Sequence, residues 1–373
     1  MSIDDNRRGR SSAGGNGEAR PIAHPGRRRA TKIEDVAAIV GVSASTVSRA
    51  LARPDRVLPE TRQKILDAVR LTGYTPNVAA RSLRAARSMN VLVVLSSPPK
   101  TAEGHLEAVV TPFFSELLLG IDLALSEHGY AVLLGNLYDS RQREERIVNL
   151  VTAGQVDGVL LLLGRMPHGS RHSLEESGIP MVGVTTAASP DLPVVMVDDA
   201  EAARTVARHL LDLGHRRFGY VTGPAWHPIE HVRFGGFLET LQAAGIPADA
   251  VTRYDGDFRL GSGSDAAKVF LQSAGRPTAV FAISDEMAIG FMKEIRTAGL
   301  SVPADVSLVG FDGIPFADYC EPPLTTVRQP REVIGRQAAE MLLRLMRGER
   351  LAADERVVKL DAELRVGGST ARP

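Results

Sequence analysis

The chain has 373 residues with 44 basic and 44 acidic side chains, 44% hydrophobic residues and one cysteine, Cys320. This length and apolar content suffice for one large or two to three ordinary cores, while a single cysteine excludes an intrachain disulfide. The longest apolar runs, at 91–95 and 159–163, are far shorter than the ~20 residues that span a bilayer, and residues 1–30 contain no apolar run typical of a signal peptide. We therefore expect a globular protein of the reducing cytoplasm, with no membrane segment.

The neutral total hides a basic amino-terminal segment. Residues 1–88 contain 17 Lys and Arg against 8 Asp and Glu, so the remainder carries an acidic excess of the same size. Such asymmetry indicates either a polyanion-binding end or a solvated tail. Residues 1–30 are rich in Gly, Ser, Arg and Asn without periodicity, which predicts a disordered basic tail.

Three short helical patterns follow the tail, at 33–40, 43–51 and 59–72. Gly41 and Val42 separate the first two, which is the arrangement of a helix-turn-helix motif. The second segment, VSASTVSRAL, has the apolar spacing of a buried helical face but also four hydroxyl residues, which are only moderate helix formers. A function other than helix stability is indicated for these hydroxyl groups.

The hydroxyl residues and their neighbours suit contact with DNA. A helix in the major groove reads bases from its amino-terminal turns, where short hydroxyl side chains reach phosphates and Arg makes bidentate contact with guanine. We predict Ser43 as the helix cap. The predicted phosphate contacts are Ser43, Thr46 and Ser48, and the predicted base contacts are Ala44, Ser45 and Arg49. From these residues alone, an ordinary solvent-facing helix is the alternative.

From residue 91 onward, short apolar runs such as VLVVL, DGVLLLL and VSLVGFD alternate with longer amphipathic segments. This alternation favours parallel, doubly wound sheets with helices on both faces. About 280 residues of this pattern exceed one ordinary sheet, so we expect two α/β lobes with a cleft between them.

Polar residues that directly follow apolar runs are candidate ligand contacts, because ligands bind beyond the carboxyl ends of strands in such sheets. Ser284 and Asp285 follow one run and Asp312 follows another. Asp285 can equally cap the next helix.

Other local patterns give no sign of catalysis or metal binding. GSGS at 261–264 lacks the further glycine of GxGxxG and predicts a helix start. His227 and His231 are separated by Pro228, which argues against a metal-binding helix. No nucleophile–base constellation is visible, so we predict no enzyme activity, metal or cofactor.

Residues 31–84, from TKIEDVAAIV to AARSLR, resemble almost position for position the DNA-binding head of the LacI/GalR family of bacterial transcriptional regulators. Further segments are similar to markers of that family in the same order, namely TPFFSELLLGID, LGHRRFGYVTGP, PTAVFAISDEMAIGFM, VPADVSLVGFD and PPLTTVRQP. Within the family, DYCEPPLTTVRQPREVIGRQA and LRVGGST are most similar to the cytidine-repressor branch.

The resemblance implies an α/β fold in which an all-α helix-turn-helix head is joined by a hinge helix to a two-lobed, periplasmic-binding-protein-like core of parallel sheets. We expect the head at 31–75, the hinge helix and linker at 76–88 and the core at 89–373. The expected lobes are 89–185 with 330–349, and 186–329 with 350–373.

The hinge segment has its own physical signature. Asn77 can cap a helix of only about two turns, which is unstable alone in water and should form only when docked. The resemblance implies that Leu83, flanked by Ala80 and Arg84, enters the minor groove, where an apolar wedge kinks the duplex. An inert linker is the alternative.

The third helical segment departs from the family at its start. Leu58 stands where relatives tend to carry a hydroxyl cap, although Pro59 and Glu60 suit the first turn of a helix. Thr61 completes the predicted DNA-contacting set.

By resemblance, Asp312 and Arg233 bind polar groups of a ligand, Phe258 stacks on it, and Phe113 with Phe114 forms the wall of the other lobe. Ser284, where relatives often have Asn, has a shorter reach. The predicted partners are operator DNA, a nucleoside, purine or sugar effector, and a second copy of the chain. The alternative is a cytoplasmic solute-binding protein of the same fold without regulatory DNA binding, which the head argues against.

Overall fold

A computed structural model describes most of the chain in two compact units, one ending at residue 81 and the other starting at residue 82. The described residues are 31–52, 56–74, 87–95, 111–137, 141–162, 166–170 and 172–373. The predicted tail at 1–30 and four predicted DNA contacts lie outside these ranges, namely Asn77, Ala80, Leu83 and Arg84.

The first unit contains the three predicted helices. They are α1 (Ile33–Val40), α2 (Ala44–Ala52) and α3 (Pro59–Thr72). Gly41 ends α1 in the left-handed conformation, with φ +76°, which glycine adopts without strain. Val36, Val47 and Ile65 are fully buried at the centre of a small apolar core. The helix-turn-helix prediction is confirmed.

The described residues of the second unit form two six-stranded sheets. The first sheet is entirely parallel, with the order β11-β5-β4-β3-β1-β2. Its strands are β1 (Asn90–Leu95), β2 (Ala131–Asn136), β3 (Gly158–Leu162), β4 (Met181–Val184), β5 (Val194–Val197) and β11 (Val357–Leu360).

The second sheet has the order β12-β10-β9-β8-β6-β7 and is parallel except for β12, which pairs antiparallel with β10 at one edge. Its strands are β6 (Phe218–Val221), β7 (Val251–Tyr254), β8 (Ala279–Ala282), β9 (Ser307–Asp312), β10 (Thr325–Arg328) and β12 (Glu363–Arg365). The two-lobed α/β prediction is confirmed.

In the part of the second unit that the structure describes, seven α-helices accompany these strands. They are α4 (Pro112–Ser126), α5 (Arg141–Thr152), α6 (Asp199–Asp212), α7 (Pro228–Ala243), α8 (Leu260–Gln272), α9 (Asp285–Thr297) and α10 (Arg331–Met346). Helix α10 returns the chain to the first lobe, where it packs against α4. The two helices approach so closely that a Cβ atom on Gly120 would overlap the carbonyl of Glu332.

Two of the predicted lobe boundaries differ from the structure. The expected boundaries place residues 194–197 and 357–360 in the second lobe, but both segments form strands of the first sheet. The nearly uninterrupted burial of β5 fits an interior parallel strand between β4 and β11. The chain therefore crosses from the first lobe to the second after β5. It makes its last crossing to the second lobe between β11 and β12.

None of the helices in the described part of the chain is both long and apolar enough to cross a membrane.

Candidate ligand cleft and nucleic-acid interface

The amino-terminal turn of α2 is organised by the hydroxyl of Ser43. Its Oγ accepts a hydrogen bond from the Thr46 N–H at 3.2 Å, which is the bond of a helix cap. The same oxygen lies 2.8 Å from the hydroxyls of both Ser45 and Thr46. The predicted cap is therefore confirmed, and three hydroxyl groups cluster at one end of the helix.

The outer face of α2 is available for contact. Val47 and Ala50 are buried in the core of the head, whereas Ser43, Ser45 and Arg49 are exposed. The remaining predicted contacts of this helix, Ala44, Thr46 and Ser48, are half-buried. One face of α2 thus anchors the helix while the other presents hydroxyls and a cation, which is the arrangement required of a groove-reading helix.

The start of α3 follows the sequence prediction. Leu58 precedes the helix without a side-chain capping bond, and Pro59 occupies the first helical position. The fixed φ of proline suits that position. Thr61 lies in the first turn and is half-buried.

A cleft of about 1160 Å³ lies between the two lobes of the second unit. Six of the seven predicted effector contacts line it, namely Phe113, Phe114, Arg233, Phe258, Ser284 and Asp312. Trp226 and Phe316 add aromatic surface. The cleft therefore combines aromatic walls with a few converging polar groups, as small-molecule sites do.

Arg233 is held rigidly at the floor of the cleft. Its Nε and Nη2 donate to Asp199 Oδ1, both at 2.8 Å, and its Nη1 donates to the carbonyl oxygen of Ile283 at 2.6 Å. The guanidinium carbon lies 3.5 Å from the centre of the Phe311 ring. Burial raises the pKa of Asp199, although the charge of Arg233 opposes this shift. The pair satisfies each buried charge with the other and forms a preformed charged floor of the cleft.

Asp312 ends β9 with its carboxylate at the cleft. Its Oδ1 accepts a hydrogen bond from Gln329 Nε2 at 2.9 Å. Burial raises the pKa of Asp312 to about 6, against the opposing charges of Arg233 and Arg331. The side chain is accordingly an ionised acceptor near neutral pH that takes up a proton under mildly acidic conditions.

Arg331 joins the two lobes. It opens α10, and its guanidinium donates to the backbone carbonyls of Asp312 and Gly313, the latter at 3.0 Å. It also forms an ion pair with Glu116 on α4 at 2.8 Å. Helices α4 and α10 pack in the first lobe and the two carbonyls belong to the second. The buried guanidinium of Arg331 therefore contacts both lobes.

Asp285, the seventh predicted effector contact, does not reach the cleft, and that prediction was wrong. Its side chain is fully buried, with Oδ2 accepting from the Ile314 N–H at 2.8 Å and Oδ1 from the Thr326 hydroxyl at 2.5 Å. Burial and the neighbouring Asp312 charge raise the pKa of Asp285 well above its usual range. Its carboxyl therefore holds Ile314 and Thr326 together behind the cleft. The cap of α9 is Ser284, whose Oγ accepts from the Met287 N–H at 3.2 Å.

Backbone strain is concentrated at the cleft. Non-glycine residues in the left-handed region in the described ranges are Met89, Thr185, Phe258 and Asp312, and the last three line the cleft. Such conformations persist only where the surrounding structure enforces them, and they cluster at functional sites. The strain is therefore consistent with a preorganised binding site.

Sequence reasoning missed several cleft residues, namely Thr185, Asp199, His227 and Gln329. Asp199 lies two residues after the apolar run VVMV, behind Asp198, whereas Asp312 follows its own run directly. His227 was considered only as a metal ligand. It is buried whereas His231 is exposed, and no group of three metal-ligating side chains assembles within the ranges that the structure covers.

Comparison with known proteins gives two matching family models and several close relatives. Residues 32–77 match "Bacterial regulatory proteins, lacI family" and residues 207–370 match "Periplasmic binding protein-like domain". The chain is 37% identical over 344 residues to the HTH-type transcriptional repressor CytR of Escherichia coli K12, covering 91% of this chain and 96% of that protein.

Two solved structures extend this similarity to the fold. A complex of the transcriptional regulator CelR with cellobiose has a TM-score of 0.66 at 33% identity, covering 91% of this chain and 99% of that one. The lac repressor dimer bound to operator and the anti-inducer ONPF has a TM-score of 0.76 at 25% identity, covering 92% and 100%.

Proposed function

This chain belongs to the lacI family of bacterial regulatory proteins, and we propose that it represses transcription from a near-palindromic operator under the control of a small molecule in its interlobe cleft. It is a DNA-binding transcriptional regulator and not an enzyme. We place its action in the cytoplasm, where its operator is found. We assign DNA reading to 31–75, coupling to the hinge at 76–88 and ligand binding to the core that follows.

In the proposed complex, α2 lies in the major groove. The hydroxyls of Ser43 and Thr46 at its amino-terminal turn contact phosphates, and the exposed Arg49 contacts a base edge. Capping and clustering of these hydroxyls fix the helix end that approaches the backbone. The hinge residues Asn77, Ala80, Leu83 and Arg84 complete the interface at the minor groove, as the sequence predicts.

The active species is a homodimer whose two heads bind two half-sites. A twofold-symmetric protein matches a palindromic site, and each added head contributes phosphate contacts. The similarity to a lac repressor dimer seated on its operator supports this assignment.

The effector is a nucleoside, a purine or a sugar. Aromatic side chains such as Phe113 and Phe258 face the same cleft as the charged groups of Asp312 and Arg233, which suits a ligand with a flat or ring-shaped body and polar edges. The similarity to a regulator bound to cellobiose supports this class. Binding shifts operator affinity to the extent that the ligand prefers one arrangement of the lobes.

The observation that carries this proposal is the presence on one chain of a capped, outward-facing α2 and a strained, charge-lined cleft. A solute-binding protein of the same fold has a use for the cleft but none for a helix-turn-helix head. The head therefore decides between the two functions.

Fluorescence anisotropy tests the proposal with an operator selected from random duplex DNA and a panel of cytidine, uridine, adenosine, guanine, ribose and cellobiose. We expect selective binding by the wild-type protein and a change in affinity with at least one panel member. Arg49→Ala should lose about 1–3 kcal/mol of discrimination at one base pair. Asp312→Ala should bind DNA normally but no longer respond.

Lys268→Ala removes an exposed cation that pairs with Asp265 on α8, and it controls for nonspecific loss of charge. Equal effects of Arg49→Ala and Lys268→Ala would contradict the base-reading role. Absence of any sequence-selective binding by the wild-type protein would overturn the proposed function.

A further inference from the structure

A small basic depression lies at the end of the first lobe where the chain enters β1. Its volume is about 140 Å³, and its lining includes Arg87, Met89, His128, Tyr130, Met346 and Arg347. The first two residues precede β1, and the others come from the carboxyl ends of α4 and α10 or from the residues just beyond them. None of these six residues lines the interlobe cleft. The linker-end depression is therefore separate from the effector site.

Two exposed arginines of this depression have no counter-charge. Neither Arg87 nor Arg347 forms an ion pair with a residue that the structure describes, and Arg87 donates a long hydrogen bond of 3.4 Å to the carbonyl of Met346. By contrast, Arg344 of the same helix end pairs with Glu349 at 3.0 Å and with Glu355 at 2.8 Å. The two arginines thus remain available to an anionic partner.

The backbone beside Arg87 is held firmly to the first lobe. The carboxylate of Asp157, the residue before β3, accepts hydrogen bonds from the Ser88 N–H at 2.7 Å, the Ser88 hydroxyl at 3.0 Å and the Met89 N–H at 2.8 Å. Three bonds to one carboxylate fix residues 88–89 at the amino end of the first sheet. The position of Arg87 relative to the depression is therefore restricted.

The chain connection brings this depression close to bound DNA. Arg84 is the last predicted hinge contact, and Arg87 follows it by three residues. Three residues span at most ~11 Å even when fully extended. When the hinge occupies the minor groove as proposed, Arg87 must lie near the sugar–phosphate backbone at the edge of that groove. Residues 89–373 carry an acidic excess, so a basic patch at this end also offsets repulsion between the core and DNA.

We propose that Arg87 and Arg347 bind one backbone phosphate of the operator, so that the core itself contacts DNA beside the hinge. The inference rests on the proposed function, because the partner is the same operator. Two guanidinium groups suit this ligand, since arginine forms charge-assisted and often bidentate hydrogen bonds with phosphate oxygens. The contact carries no base information and strengthens binding to every operator sequence alike.

A purely structural role of these arginines makes a different prediction. Arg347 directly follows α10, and a cation at the carboxyl end of a helix is stabilised by the helix dipole. Such a role supports folding and leaves DNA affinity unchanged. The test therefore measures both DNA affinity and thermal stability.

Fluorescence anisotropy on an operator selected from random duplex DNA measures the affinities of wild type and of the double variant Arg87→Gln/Arg347→Gln at several salt concentrations. Counterion release gives log affinity a slope against log salt of about −0.9 for each phosphate neutralised. A homodimer has two such sites, so the slope of the double variant should be shallower by about 2. The ratio of wild-type to variant affinity should fall about tenfold between about 50 and about 200 mM KCl. The melting temperatures should agree.

The matched control removes two exposed cations from the second lobe. Lys268→Gln/Arg276→Gln changes the net charge equally, at α8 and just after it, and should keep the wild-type slope. A neutral methylphosphonate placed at each operator phosphate in turn then locates the contact. Wild type should lose affinity at one phosphate of each half-site that the arginine double variant tolerates.

An unchanged slope in the arginine double variant, with selective binding by wild type, would overturn the inference and leave the proposed function intact. A lower melting temperature with an unchanged slope would assign the arginines a structural role. Equal slope changes in the control would reduce the effect to net charge and overturn the inference as well. Isothermal titration with inorganic phosphate distinguishes a small-anion site, since binding of phosphate without a change in slope would contradict the DNA contact. If wild type binds no operator selectively, the proposed function fails and this inference fails with it.

Discussion

The outer face of α2 and the floor of the cleft use polar side chains in opposite ways. At α2, Ser43 and Arg49 are exposed, and the Ser43 hydroxyl bonds to groups of Ser45 and Thr46 in the same turn. At the cleft floor, Arg233 and Asp199 are 4% and 3% exposed and satisfy each other. A surface that meets a polyanion can keep its groups solvated until contact, whereas a small-molecule site must hold desolvated charges in place beforehand. Substitutions on α2 should therefore act on binding, and those behind the cleft on folding.

Substitution of Asp285, behind the cleft, should cause the largest loss of stability. Asp285→Ala leaves the Ile314 N–H and the Thr326 hydroxyl buried without their acceptor, so we expect the free energy of unfolding to fall by about 3 kcal/mol. Urea denaturation measures the change. Asp265→Ala, an exposed carboxylate on α8, should change it by less than about 0.5 kcal/mol. Equal losses in the two variants would contradict the bracing role.

The pH dependence of stability provides a second test. Because the pKa of Asp312 is raised to about 6, the folded state binds more protons than the unfolded state between about pH 4 and 6, and stability falls as pH rises through this window. Asp312→Asn removes this contribution. The unfolding free energy of the variant, minus that of wild type, should rise with pH over the window and level off above it.

The contribution of His227 to stability should change with pH in the opposite direction, which provides an internal control. Its pKa is lowered to about 4, so the unfolded state binds more protons between about pH 4 and 6.5 and stability rises with pH there. The difference between His227→Gln and wild type should therefore fall with pH. Slopes of the same sign in the two variants would rule out the assigned shifts. Chemical denaturation at half-unit pH steps is the measurement.

The smallest effect is expected on the head. Ser43→Ala removes the cap of α2, which costs about 0.5–2 kcal/mol of head stability, and it should weaken binding uniformly across operator sequences. Circular dichroism melting and anisotropy measure the two effects. Ser45→Ala removes a hydroxyl that contacts only Ser43 among the described bonds, so its melting curve should match that of wild type. A base-selective loss in Ser43→Ala would contradict its phosphate role.

The head was predictable from sequence because its signals are local. Helix periodicity, Gly41 at a helix end and Ser43 at a helix start all act within a few residues. The predicted apolar runs do not include β7, β10, β11 or β12. The last two join sheet edges through partners far away in the chain, which local patterns do not reveal. The same long-range pairing explains why the lobe boundaries were misplaced.

At the cleft, sequence reasoning identified residue positions better than side-chain partners. The rule for strand ends correctly brought Asp312 to the cleft, but after β5 it points first to Asp198, which caps α6, and only the next residue, Asp199, lines the cleft. It failed for Asp285, because the direction of a carboxyl at a helix start depends on which loops pack behind it. The role of His227 as the cap of α7, where its Nδ1 accepts the Ile229 N–H, was not predicted, because the spacing of two histidines carries no information about such a bond.

Arg331 makes the two lobes unequal partners in any hinge motion. Its guanidinium donates to the second-lobe carbonyls of Asp312 and Gly313 and pairs with the half-exposed Glu116 on α4. Arg331 is also the first residue of α10, where the helix dipole disfavours a positive charge. Separation of the lobes must break one of these attachments. Arg331 and Glu116 both lie on helices of the first lobe, so their ion pair survives such a motion, and the bonds to the carbonyls of Asp312 and Gly313 are the ones that must break.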